Sequence, residues 1–327
     1  MTMARELAIR GISVTLFDKG KLGRESSWAA GGILSSMRPW SEDPYSSELS
    51  NLGKECYAEF VDDLKQQTGI DSEYYQSGLL MINAMDVEQL RRWADENQVV
   101  IAENYEGYPS NMRLPATSIF LPEIAQVRVS RLLKALHASL IKLGVTIFEN
   151  TEITGLEINN TRCTSVITRS KKYYADSFIV SAGAWSEQIL ASVNEGIKIK
   201  PVMGEMLCVK FPRQQLKTMV LDGGHYFIPR RDGHVLIGST MEDVGFKKDT
   251  TQSARNELME WACALWPDIA AAEFVKHWSG LRPATENGKP YLGKLEDYEN
   301  IYINAGHFRK GIIQAPICAR EIADMVC

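Results

Sequence analysis

With 327 residues the chain is long enough to bury one large core or two intertwined ones. Hydrophobic residues make up 45% and charged residues 24%, the balance of an ordinary globular protein. A formal net charge of −5 gives no electrostatic reason to bind nucleic acid or an anionic membrane, although one arginine can hold a small anion whatever the total. The six cysteines, at 56, 163, 208, 263, 318 and 327, form no CxxC and no metal spacing with histidine. They point to a reduced, cytoplasmic chain without a disulfide framework or a metal site, and no apolar run is long enough for a transmembrane helix.

The first ten residues have helical spacing at Met3, Leu7 and Arg10, with Gly11 as a stop. Ile12–Phe17 reads as a short buried strand ended by Asp18-Lys19-Gly20. A helix followed by a strand ending in an acid is the back half of a βαβ dinucleotide unit, where the acid accepts from ribose hydroxyls. After a strand Asp18 is also a common turn residue. The front half of such a unit, its first strand and G-x-G-x-x-G turn, would lie before Met1. The expectation is therefore a chain begun inside a longer one, with a degenerate relative or a sheet completed by a partner as alternatives.

Residues 23–39 are dense in Gly, Ala and Ser, which suits backbone that approaches a ligand closely, although Gly31-Gly32 alone could be a plain turn. Helices are expected at about 46–68 and 86–97, and over Ser130–Leu143, where five leucines share one face. Strands follow at 145–149, 153–158, 163–169 and 177–181. Residues 200–240 look strand-rich, with a hairpin whose arms are His225–Pro229 and Val235–Gly238. A helix at about 251–265 leads to His277–Gly293, read as turn-rich. Asn300–Ala305 is a strand, Gly306–Gly311 a loop and Ile312–Met325 a helix. The strand–glycine–helix pattern at both ends predicts an α/β (α+β) fold. Its nucleotide-binding domain would come from residues 1–40, 130–195 and 277–327, and an inserted mixed-sheet domain from 41–129 and 196–276.

Five blocks carry a resemblance. They are ESSWAAGGIL (Glu25–Leu34), VSAGAWS (Val180–Ser186), PVMGEMLCV (Pro201–Val209), HYFIPRRDGHVLIGSTMEDVGF (His225–Phe246), and HWSGLRPATENGKPYLG followed by NIYINAGHFRKGIIQAP (His277–Pro316). In this order they resemble the FAD-dependent D-amino-acid oxidase superfamily, and within it the glycine oxidases. The resemblance implies a noncovalent FAD in a Rossmann-like domain, with Asp18 and Lys19 at the ribose and Ile153 at the adenine. Ser26, Ser27, Gly31, Gly32 and Ile33 would line the pyrophosphate and flavin. His307, Phe308, Arg309, Lys310, Gly311, Ile312 and Ile313 would wrap the pyrimidine end of the flavin. Related sarcosine oxidases attach their flavin to a cysteine, and none lies between Cys263 and Cys318 here.

By the same mapping Arg282 is the clamp for a substrate carboxylate, Tyr226 donates to that carboxylate, and Arg309 is a second cation. Ile33, Met203 and Met241 would border the pocket and favour a small substrate. The implied reaction is oxidation of glycine or another small amino acid or amine by hydride transfer to the flavin. The products are the imine and, with oxygen, hydrogen peroxide, in the service of thiamine thiazole synthesis. A non-catalytic subunit or a quinone-linked dehydrogenase would share most of these residues. Relatives of this kind are often homo-oligomeric.

Overall fold

The computed structural model describes residues 1–97, 99–102, 105, 107–194 and 196–327. Helix α1 (Thr2–Ile9) leads into β1 (Thr15–Phe17), the short α2 (Ser26–Ala29) and β2 (Ile33–Leu34). Helix α3 (Pro44–Thr68) precedes β3 (Tyr75–Gln76) and β4 (Leu79–Met81), and α4 (Ala84–Asn97) precedes β5 (Ile119–Leu121) and β6 (Ala125–Gln126). After α5 (Val129–Lys142) come β7 (Thr146–Phe148), β8 (Ile153–Asn159), β9 (Arg162–Thr168), β10 (Lys172–Tyr174), β11 (Phe178–Val180) and α6 (Ser186–Leu190). Four strands follow, β12 (Lys200–Lys210), β13 (Met219–Asp222), β14 (His225–Pro229) and β15 (His234–Gly238), before α7 (Gln252–Leu265). The chain ends with β16 (Glu273–Ala284), β17 (Tyr291–Lys294), β18 (Ile301–Ala305) and α8 (Gly311–Val326).

Local chemistry explains the longest elements. Helix α3 starts where Asp43 accepts from the Ser46 N–H at 3.2 Å, with Pro44 at its first position, and stops at Gly69 in the left-handed region. Helix α7 begins at Thr251, whose side chain accepts from the Ala254 N–H. In α5 the leucines at 132, 136 and 140 are buried, as their spacing predicts. The strand expected over residues 12–17 shortens to β1, because Ile12 and the two residues after it lie outside the paired register with β7.

Strand β1 pairs in parallel with β7, and β11 with β18, while β17 joins β18 antiparallel. A seven-stranded sheet runs β16-β12-β15-β14-β13-β4-β5, and is mixed because β13 pairs with β4 in parallel. Its two faces follow the two-residue period of strands. Leu207, Phe227 and Ile237 pack with Leu258 and Trp266 beside α7. Met206, Tyr226 and Ile228 belong to the cluster on the other face.

One expectation fails here. The segment from His277 is turn only between Ala284 and Tyr291: its first eight residues complete the twelve-residue β16, paired with β12 from Lys200 to Lys210. Pro283 is accommodated because β16 is an edge strand, where a missing N–H leaves no partner wanting. Gly280 is there for closeness, since a Cβ would overlap that of Ala29 in α2. The strand also runs across residue 277, where a domain boundary was expected.

Candidate functional site

A cavity of about 330 Å³ opens over this second face of the sheet. Its floor is built from Gly204 and Met206 of β12, Tyr226 and Ile228 of β14, and Gly280 and Arg282 of β16, each pair two residues apart. Its other walls are Gly31–Ile33, the segment from Met37 to Asp43, and Phe308, Arg309, Lys310 and Ile312 at the start of α8.

Arg282 is half-buried. Its Nη2 donates to Ser239 Oγ at 2.8 Å, and its Nη1 donates to the carbonyls of Thr240 at 3.2 Å and Met203 at 3.4 Å. All three acceptors are neutral, so the charge has no counter-ion among the described residues. The guanidinium lies flat on Gly204, where any Cβ would overlap Nη1, Nη2 and Cζ. Tyr226 is 7% exposed, and its hydroxyl donates to Met206 Sδ at 3.5 Å, a weak acceptor. Gly238, opposite it in β15, leaves room for the ring, which a Cβ there would crowd.

Arg309 is half-buried beside these groups. Burial pushes its pKa down, and repulsion from Arg282 and Arg38 adds to the shift, while Tyr226 opposes it. Phe308 adopts φ +50°, uncommon for a bulky residue, and is fixed there by its N–H to Pro283 O at 3.0 Å. Lys310 Nζ faces Glu42 at 3.3 Å.

The Gly31-Gly32 turn is pinned from beneath. Arg230, 4% exposed, donates to Gly31 O at 2.6 Å and to Gln126 Oε1 at 2.6 Å. Burial lowers its pKa to about 10, which leaves it charged at neutral pH. Gly32 has φ +83°, and a Cβ there would strike Val127 O. Ser26 Oγ donates to Leu281 O, tying α2 to the strand that bears Arg282.

The cavity thus gathers Arg282, Tyr226, Arg309, Ser26, Gly31, Gly32, Ile33, Phe308, Lys310 and Ile312. Other expected residues lie outside it. Asp18 accepts from the Gly20 N–H at 2.8 Å in its own turn, and Lys19 Nζ sits 3.5 Å from the centre of the Trp185 ring. Ser27 is exposed and Ile153 is half-buried opposite Thr168. Ile313 packs in the helical core with Tyr57 and Leu132, and Gly311 opens α8. His307 stands behind the wall, with Nδ1 2.7 Å from Gln314 Oε1 and Nε2 2.6 Å from Asn304 Oδ1. Gln314 gives its amide N–H groups to Ser46 O and Ser50 Oγ, so its oxygen is the end that accepts from His307. Met203 is buried and Met241 is 63% exposed, and neither lines the cavity; Met206 and Met37 do.

Arg38, Glu42, Gly204 and Arg230 are site residues that the sequence reading did not single out. Arg38 and Arg230 each had only the signal of a cation beside a glycine-rich or hairpin block. Among the described residues, no cluster of His, Cys, Asp and Glu could hold a metal, and no helix is long and apolar enough to cross a membrane.

The profile of the FAD dependent oxidoreductase family matches residues 1–325. A glycine oxidase of Pseudomonas aeruginosa is 36% identical over 329 residues, covering 99% of this chain and 90% of its own. The bifunctional protein ThiO/ThiG of Trichormus variabilis is 28% identical over 342 residues, covering 100% of this chain and 51% of its own. The crystal structure of glycine oxidase from Geobacillus kaustophilus superposes with a TM-score of 0.91 at 27% identity, covering 99% of this chain and 90% of that one. The chain belongs to the FAD dependent oxidoreductase family.

Proposed function

We propose that this enzyme oxidises glycine or another small amino acid or amine at the α-carbon, with oxygen as the final acceptor. The observation that carries the reading is the convergence of Arg282, Tyr226 and Arg309 on one cavity whose facing walls are a glycine turn and a helix start. FAD is the cofactor of the family, and the walls suit it. The amides of Gly311, Ile312 and Ile313 open an α-helix of 16 residues and have no acceptor among the described residues. Such an end favours an anionic or electron-rich group. Gly31 and Gly32 expose backbone with no side chain in the way. Among the described residues no cysteine lines the cavity, which supports noncovalent binding.

When bound, FAD supplies a two-electron acceptor at the substrate α-carbon. The chain's own residues bind and orient. Arg282 offers two parallel N–H donors to a carboxylate, and Tyr226 exchanges its weak sulfur contact for that stronger acceptor. Ile33, Met206 and Ile228 keep the surroundings apolar, which strengthens these bonds by excluding water. No side-chain base is placed at the α-carbon in this reading, so an amine that binds unprotonated needs only positioning. We assign Asp18, Lys19, Ser27 and Ile153 to the outlying nucleotide part of the cofactor, and the imine product to thiamine thiazole synthesis.

The test is anaerobic mixing of the FAD-loaded enzyme with glycine, followed by air. Bleaching of the flavin band, and its return with one peroxide per turnover, is the expected result. Bleaching without peroxide would sink the oxygen assignment, and no bleaching with any small amino acid would sink the whole reading.

A further inference from the structure

The cavity holds more positive charge than a single carboxylate needs. Each lining carboxylate already has a partner: Glu42 faces Lys310 and accepts from Ser36 Oγ at 2.7 Å, and Asp43 caps α3. Arg282 meets only neutral acceptors, and the hydrogen bond of the Arg309 guanidinium goes to Met241 Sδ at 3.8 Å. A third guanidinium, that of Arg38, lines the same cavity. Asp86, 6% exposed, grips its Nε and Nη2 at 2.7 Å each, and Gly223 O takes Nη2 at 2.6 Å. This two-point grip fixes the guanidinium plane. It leaves Nη1 with no acceptor among the described residues. Arg38 is close enough to Arg309 to help depress its pKa.

We infer that the cavity takes a dicarboxylic amine, one acid group on Arg282 and Tyr226 and the second on Arg309 and Nη1 of Arg38. The inference rests on the proposed amine oxidation and narrows its substrate class. Glycine would neutralise one guanidinium and leave another half-buried and uncompensated, which is costly. A second acid group removes that cost and adds charge-assisted hydrogen bonds. Asp86 acts through Arg38 and is a positioning residue, because its two oxygens are both occupied by that side chain.

The experiment compares N-(carboxymethyl)glycine with its neutral isostere N-(carbamoylmethyl)glycine on the FAD-loaded full chain, with glycine alongside. The rate constant for anaerobic flavin bleaching is expected to favour the diacid by about tenfold or more, the scale of one charged hydrogen bond. Arg38→Gln and Arg38→Met are each expected to bring that ratio down toward one. Equal rates for diacid and amide, with glycine still bleaching the flavin, would overturn the inference and leave the proposed oxidation standing. Should no amine bleach the flavin, the oxidation reading fails, and binding decides the inference through perturbation of the flavin spectrum. There a diacid that binds more tightly than the amide supports the assignment, and one that binds no more tightly overturns it.

Discussion

Arg282 can lie across β12 because residue 204 has no side chain, and the two residues form one device. Gly204→Ala must lift the guanidinium off the floor. It is expected to lower kcat/KM for the amino acid by roughly 10- to 100-fold, the order seen when a clamp is displaced. Steady-state kinetics would measure the loss, and circular dichroism would check that the fold persists. Arg282→Lys keeps the charge and loses the planar fork. The expected fall in kcat/KM is about 10- to 100-fold and mainly through KM, matching the ~1.5–3 kcal/mol of a charged hydrogen bond. At this scale Arg282, Tyr226 and Arg309 were legible in the sequence because whole motif blocks surround them. Gly204 and Arg230 were not, because what matters about them is the side chain or carbonyl that another strand brings alongside.

His307 sets a pH dependence. Burial holds its pKa below the ordinary value of 6.5, with the hydrogen bond to Gln314 opposing the shift and repulsion from Lys310 assisting it. The folded state therefore binds this proton less readily than the unfolded state does. Stability is unaffected by this group well above pH 6.5, falls as pH drops below that value, and stops falling at the lower folded pKa. Urea melts at a series of pH values should show the decline beginning near 6.5, and His307→Gln should remove that part of it.

Among the elements, helix boundaries were the most legible. Gly69 at the end of α3 and the leucine face of α5 are local signals, readable without the rest of the molecule. Strand β16 was not readable, since Gly280 and Pro283 look like turn residues until α2 and the sheet edge explain them. Helix packing has a similar hidden term. Gly53 in α3 touches the α8 backbone so closely that a Cβ would overlap Ile313 O. Gly53→Ala should push the start of α8 away, costing about 1–3 kcal/mol as an overpacked contact does. Because Ile312 of that first turn lines the cavity, FAD affinity should fall as well. Denaturant melts and a flavin titration would report the two effects separately, and a destabilised protein with unchanged FAD affinity would refute the link.

For the molecule as a whole, the cavity is assembled from residues between Ser26 and Ile312, so its ligand ties distant parts of the chain together. FAD should accordingly raise the unfolding midpoint in a concentration-dependent way. At 100 times its Kd the gain is about 2.7 kcal/mol if the unfolded chain does not bind it. Thermal melts at increasing FAD would measure this, and a midpoint independent of FAD would count against a site built from so many segments.

The sequence by itself carried the family and most of the order of elements, and it named three candidate groups for the substrate, because motif blocks and hydrophobic periods are local properties of the chain. Tertiary structure decided which of those residues meet. It set Tyr226, Arg282 and Arg309 around one cavity, held His307 behind its wall, and kept Asp18 in its own turn. It also added Arg38, whose orientation depends on Asp86, 48 residues away. The physical reason is that charge pairing and close backbone approach are relations between segments far apart in sequence, and only packing specifies them.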